Sequence, residues 1–201
     1  MLICPSLQEC DSEEKKKSCL PWLKAYPKTC SVTSKTLSPM ATKSKPIPDG
    51  FHTLTPNLTY RNAAAAIDWI KNVFGATENM RMADPQGNIV HAELQIGDSV
   101  LMVHEEQPAW GALSPQALNG SSGSTFVYLE EVDALYARAI AAGAQSTSPP
   151  SDMFWGDRMA KFIDPHGHVW GIATHLADLT PEEMAKGAEE FFKGLADAPK
   201  P

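Results

Sequence analysis

The sequence predicts an α+β chain in which one βαβββ module occurs twice. Three observations predict it. Hydrophobic spacing switches between the strand period of two and the helix period of about 3.6, in the order strand, helix, strand, strand, strand. That order returns downstream, with the helix-ending pairs Gly75-Ala76 and Gly143-Ala144 standing 68 positions apart. The turn signature Asp-Pro-x-Gly appears once in each copy, at Asp84-Pro85-Gln86-Gly87 and Asp164-Pro165-His166-Gly167. A single module leaves a face of its own sheet bare, so repetition is the physical remedy.

In the first copy, Thr53 to Tyr60 alternates as a strand. Asn62 is a cap type, and Ala63 to Phe74 places Ile67, Ile70 and Phe74 on one helix face before Gly75 ends it. Glu78 to Ala83, Asn88 to Ile96 and Ser99 to His104 follow as strands, separated by the Asp84 turn and by Gly97-Asp98. In the second copy, Thr125 to Leu129 is the strand, Val132 to Ala142 the helix, and His168 to Thr174 the last strand. The two Asp-Pro-x-Gly turns stand 80 positions apart against 68 for the helix ends, so the second copy is expected to carry an insertion of 12 residues. They fall in Ser148 to Lys161, where Pro149-Pro150 and Trp155-Gly156 suggest a loop. Thr180-Pro181-Glu182-Glu183 reads as a cap, a first-turn proline and a capping-box glutamate, starting a helix over 181–195. Met184, Ala188 and Phe191, with Phe192 and Leu195 beside them, form its apolar stripe for packing on the domain or on a second subunit.

The modules are expected to occupy 40–201, preceded by a leader over 1–39. All four cysteines (Cys4, Cys10, Cys19, Cys30) lie in that leader, with six of the 17 Lys and Arg but only four of the 24 acids. The leader lacks periodicity and a secretory apolar core, and is expected to be disordered. Its Lys and Ser content suits organellar import, whereas Glu9, Asp11, Glu13 and Glu14 argue against it; Met40-Ala41-Thr42 reads as an alternative start. Its cysteine spacing matches no zinc pattern. The remainder is acidic and cysteine-free, which disfavours nucleic acid as a partner. No apolar run approaches the roughly 18 residues of a membrane span, so a soluble chain is expected; its expected location is the cytoplasm, with organellar import by the leader as the alternative.

The segment from Trp155-Gly156-Asp157-Arg158 to Asp164-Pro165-His166-Gly167-His168-Val169-Trp170, with Val132-Asp133-Ala134-Leu135-Tyr136 opening the second helix, resembles the vicinal oxygen chelate superfamily of glyoxalases, bleomycin-resistance proteins and extradiol dioxygenases. Within it the segment is most similar to the PhnB-like branch. The resemblance spans roughly Gly50 to Glu183. It implies two curved half-barrels facing a half-open cavity, a homodimer, and in the superfamily's enzymes a divalent metal held by His and Glu. Mapped onto this chain, the ligand positions fall on Thr55, Ser124, Gly171 and Met102 or a neighbour of it. Two hydroxyls, a hydrogen and a thioether do not replace imidazoles and carboxylates. No metal cofactor is therefore expected at that site.

His91 and Glu93 share a strand face, as do Met102 and His104, so His91, Glu93 and His104 form the alternative divalent-metal or acid–base set. His166 and His168 flank a turn glycine, and His52 and His175 sit at strand margins, where solvated or capping histidines are ordinary. The cavity's supply is aromatic: Phe154, Trp155, Trp170, Tyr128 and the linker's Trp110. Arg158 offers a planar fork to Asp157 or to a ligand anion. The expected site therefore comprises Trp155, Phe154, Arg158, Asp157, Trp170, Tyr128, Met102 and His104. The expected function is metal-free binding of an aromatic or amphipathic small molecule. The competing expectation is a glyoxalase-like lyase or dioxygenase using His91, Glu93 or His104.

Overall fold

A computed structural model describes residues 45–197, so the leader lies outside the described residues. The first module runs β1 (Asn57–Tyr60), α1 (Ala63–Phe74), β2 (Thr77–Ala83), β3 (Ile89–Ile96) and β4 (Ser99–Glu105). A linker with a one-turn helix, α2 (Pro115–Leu118), leads to the second module. That module is β5 (Ser124–Tyr128), α3 (Val132–Ala141), β6 (Gln145–Asp152), β7 (Asp157–Ile163) and β8 (Val169–His175), and α4 (Pro181–Asp197) follows. Each module forms a four-stranded sheet, ordered β1-β4-β3-β2 and β5-β8-β7-β6. The pairs β1/β4 and β5/β8 are parallel because a helix crosses over between their strands, whereas the hairpin-linked pairs are antiparallel.

Local chemistry accounts for the helix boundaries. The Asn62 side chain accepts from the Ala65 N–H at 3.0 Å, and Gly75 adopts φ 67° while its N–H closes on the Lys71 carbonyl. On α4, Thr180 and Glu183 cap each other, the Thr180 N–H reaching Glu183 Oε2 at 2.9 Å and the Glu183 N–H reaching Thr180 Oγ1 at 3.2 Å.

The two Asp-Pro-x-Gly turns are not equivalent, which corrects the sequence alignment of the modules. The Asp84 turn joins β2 to β3, but the Asp164 turn joins β7 to β8. Each aspartate stabilises its own turn: Asp84 Oδ1 accepts the Gln86 and Asn88 N–H groups, and Asp164 Oδ1 accepts those of His166 and His168. The motif thus records a local hairpin geometry that either position accommodates. The expected insertion disappears with it. Ser148 to Lys161 is the β6–β7 hairpin, and β6 and β7 begin 68 positions after β2 and β3. Pro149 and Pro150 lie within β6, the outer strand of its sheet, where missing N–H donors cost little and the pairing register skips from Ser146 to Ser148 to Ser151.

Both modules share one core. Ile67, Ile70 and Val73 of α1 cover Leu94, Leu101 and Val103, and the same cluster includes Leu135, Phe162, Trp170 and Ile172 of the second module. Phe74 stacks on Trp170 at 4.7 Å between ring centroids, and Trp69 meets Phe162 at 6.2 Å. Hydrogen bonds fasten the junction: Trp69 Nε1 to the Ala142 carbonyl at 2.9 Å, Arg138 Nε to the Val73 carbonyl at 3.2 Å, and Tyr60 Oη to Asp164 Oδ2 at 3.3 Å. His168, expected as a solvated or capping histidine, is buried at this junction with Nε2 2.9 Å from the Thr59 carbonyl.

Candidate functional site

Strand alternation gives each sheet one face toward the helices and one open face. On the second sheet the open face carries Phe126 and Tyr128 from β5, Gly171, Ala173 and His175 from β8, and Asp157 and Met159 from β7. Register pairs Phe126 with Gly171, Tyr128 with Ala173, and Asp157 with His175. Gly171 leaves room for its neighbour's ring, since a Cβ there would lie 2.6 Å from Phe126 Cδ2. The Phe126 and Tyr128 rings stand 5.2 Å apart at 60°. Tyr128 nevertheless remains 63% exposed.

A cavity of about 700 Å³ runs along β5, lined by residues 125–129 and facing the β3–β4 turn at Gly97-Asp98. Leu54, Ile96, Leu101, Leu135 and Trp170 add apolar wall. Its size and lining suit a small organic molecule.

At the far end of the ring pair, Asp157 is only 3% exposed and accepts three hydrogen bonds. Tyr128 Oη donates to its Oδ2 at 2.9 Å, Trp155 Nε1 to the same oxygen at 3.0 Å, and His175 Nδ1 lies 2.7 Å from Oδ1. Burial alone would raise the Asp157 pKa, but the hydrogen bonds from His175, Tyr128 and Trp155 outweigh it and hold the carboxyl below its ordinary value. His175 is raised by its hydrogen bonds to Asp157 and to Asp178, whose Oδ1 lies 3.1 Å from Nε2. Tyr128 is raised by donating to Asp157.

The expected site residues separate in space. Trp155, on the β6–β7 turn, joins Tyr128 and Asp157 through that carboxylate. Phe154 beside it packs instead on Phe191 and Phe192 of α4, at 5.6 and 6.4 Å, and lies over Gly187. Arg158 pairs with neither Asp157 nor open space. Its fork closes on Asp133 at 2.6 and 2.8 Å, and its third contact is Asp152 at 2.7 Å. One residue along a strand reverses the face, which is why Asp157 and Arg158 part company. Trp170 is fully buried and donates Nε1 to Asp164 at 3.0 Å. Met102 and His104 belong to the first sheet's open face, with His104 Nε2 3.2 Å from Thr59 Oγ1 and Nδ1 2.8 Å from the Glu105 carbonyl. His91 pairs with Glu93 at 3.1 Å. Among the described residues, no three His, Cys, Asp or Glu side chains converge as a metal site requires.

The positions onto which the resemblance maps the superfamily's metal ligands are Met102, Gly171, Ser124 and Thr55. Met102 pairs across β4 with Asn57, Gly171 pairs with Phe126, Ser124 pairs with Val169, and Thr55 precedes β1 and donates to the His52 carbonyl. Two hydroxyls, a hydrogen and a thioether at those positions do not match the imidazoles and carboxylates that hold a divalent ion. Sequence reading missed Phe126 and the role of His175, because cross-strand register cannot be read from spacing alone.

Two βαβββ modules packed around one core define a two-module α+β class of protein. The family model described as the Glyoxalase/Bleomycin resistance protein/Dioxygenase superfamily matches residues 51–172, and the chain belongs to that superfamily. It is similar to the uncharacterized protein Mb0911c of Mycobacterium bovis, with 31% identity over 134 residues that cover 65% of this chain and 88% of that protein. The uncharacterized protein Rv0887c of Mycobacterium tuberculosis is 31% identical over the same share of this chain and 79% of its own length. Among solved structures, TioX from Micromonospora sp. ML1 is 30% identical, with a TM-score of 0.49 over 61% of this chain and 98% of that one. Protein PA1353 from Pseudomonas aeruginosa shares the fold at 23% identity, with a TM-score of 0.50 over 61% and 96%.

Proposed function

We propose that this protein binds an aromatic or amphipathic small molecule without a metal, on the ring-bearing face formed by Phe126, Tyr128 and Trp155. The observation that carries the reading is Phe126 over Gly171: the position where the superfamily's enzymes carry a carboxylate ligand bears no side chain, and a ring fills the space. Membership of the PhnB-like branch and a homodimeric state belong to the same reading, supported by the Trp155–Trp170 segment and by the apolar surface of α4. A cytoplasmic location belongs to the same reading, a domain without cysteine being indifferent to the redox compartment. Among the described residues, no helix is long and apolar enough to cross a membrane.

The test is titration of the full chain with 1-anilinonaphthalene-8-sulfonate, an amphipathic ring probe. Trp155→Ala and Phe126→Ala should each weaken binding by about 1–3 kcal/mol through lost ring burial and stacking. Unchanged affinity in both variants would place the ligand elsewhere.

A further inference from the structure

We infer that the cavity along β5 takes an extended secondary-amide compound, a short peptide or peptide-like molecule, which adds to the free edge of β5 while its rings lie beside Phe126 and Tyr128. The inference rests on the small-molecule reading and names the ligand class.

The phase of the β5 ladder is the first observation. The Leu129 N–H donates to the Ala173 carbonyl at 2.8 Å, in a parallel pairing that sets Tyr128 opposite Ala173 and Phe126 opposite Gly171. Bonding direction alternates along a strand, so Thr125, Val127 and Leu129 turn their backbone groups to β8, and Phe126 and Tyr128 turn theirs away from it. No strand pairs on that side, because β5 is the end strand of its sheet. Two N–H and two C=O groups, in sets about 7 Å apart, therefore project from the edge, and among the described residues no backbone group meets them.

The second is where this edge lies. Every residue from Thr125 to Leu129 lines the cavity of about 700 Å³, whose other walls include Leu54, Pro56 and the Gly97-Asp98 turn. Both faces of the strand contribute: Phe126 and Tyr128 from the open face, Val127 and Leu129 from the face packed on the core. In antiparallel addition, a ligand residue opposite Phe126 and another opposite Tyr128 each exchange an N–H and a C=O with β5, giving four hydrogen bonds from three residues. Their side chains then stand beside the two rings, and the middle one stands beside Val127.

The third is a contrast among the four sheet edges. Bare edges invite pairing, and folded chains blunt them. Strand β6 carries Pro149, Pro150 and two register shifts, and β2 carries two register shifts and the Glu78–Arg81 ion pair. On β1, the Pro56 and Tyr60 carbonyls bond toward β4, and the outward Thr59 carbonyl is met by His168 Nε2 at 2.9 Å. Strand β5, Ser-Thr-Phe-Val-Tyr, has no charge, no proline and no register shift. Of the four edge strands it is the one that lines the cavity.

The probe is the capped tripeptide acetyl-Phe-Val-Phe-amide, titrated into the full chain. In the register described, both Phe nitrogens donate to β5 and the Val N–H points away. N-methylation of both Phe nitrogens should weaken binding about tenfold or more, since two hydrogen bonds of modest net worth are lost. N-methylation of Val should leave affinity nearly unchanged. On the protein, amide hydrogen exchange should slow at Phe126 and Tyr128 when the tripeptide is added. A Val N-methyl group that costs as much as the Phe pair, or slowing that misses Phe126 and Tyr128, overturns the assignment. Exchange at those two amides that is already slow in the free chain and quickens on dilution gives the edge to a second copy and overturns it as well. If the chain binds 1-anilinonaphthalene-8-sulfonate but not the tripeptide, the amide class alone is overturned; if it binds neither, the small-molecule reading falls with it.

Discussion

Phe126 and Gly171 act as a unit, because each occupies the space the other leaves. Gly171→Ala forces a ring that is 45% exposed to swing away. Stability should fall by about 1 kcal/mol or less, since the ring is free to move, while affinity for a ring ligand falls as in Phe126→Ala. Gly156 offers no such relief. Its φ is 95°, and a Cβ would sit 2.1 Å from the Ala177 carbonyl oxygen, so Gly156→Ala combines backbone strain with a backbone clash and should cost more than about 2 kcal/mol in thermal unfolding. The Asp157–His175 pair sets a pH dependence of stability. His175 is raised, so its contribution is complete below its ordinary 6.5 and fades as pH climbs through the folded value; Asp157 is lowered, so its contribution is present above 3.8 and lost as pH falls through the folded value. The stability difference between wild type and His175→Gln should therefore be largest between those limits and shrink on the alkaline side, as read from melting temperatures across pH. A difference that grows with pH would contradict the raised His175.

At the scale of elements, α1 was legible because its cap, apolar stripe and terminating glycine are all local. The β2–β3 and β7–β8 hairpins were legible as turns but not as positions in a module, because Asp84 and Asp164 satisfy their own turn amides wherever such a turn occurs. Only the strand starts, with β6 and β7 each beginning 68 positions after β2 and β3, reveal which hairpins correspond. The site was less legible still. Phe126 and Gly171 are 45 residues apart in sequence and meet only through a parallel register that no spacing encodes. Arg158 and Asp157 are adjacent in sequence yet serve opposite faces, one clamping α3 and the other holding His175. Helix α4 is attached through Phe154, Phe191 and Phe192 over Gly187. Ending the chain after Leu179 uncovers Phe154 and should lower the melting temperature by several degrees or weaken a dimer in sedimentation; an unchanged value of both would show that α4 contributes nothing to either.

For the whole molecule, the decisive feature is that two modules share one core. Trp170 is fully buried against Phe74 of the other module, and Trp170→Ala should cost about 3–5 kcal/mol. The proposed function likewise belongs to the whole molecule: a superfamily scaffold proposed to bind its ligand without a metal, on a sheet face that carries Phe126 and Tyr128. Metal analysis of the purified full chain, paired with 1-anilinonaphthalene-8-sulfonate titration before and after chelation, tests that most directly. The account predicts well under one equivalent of Zn, Ni, Fe or Mn and a dye affinity that survives the chelator. One equivalent of metal that disappears in His104→Ala, with dye binding lost on chelation, would contradict it.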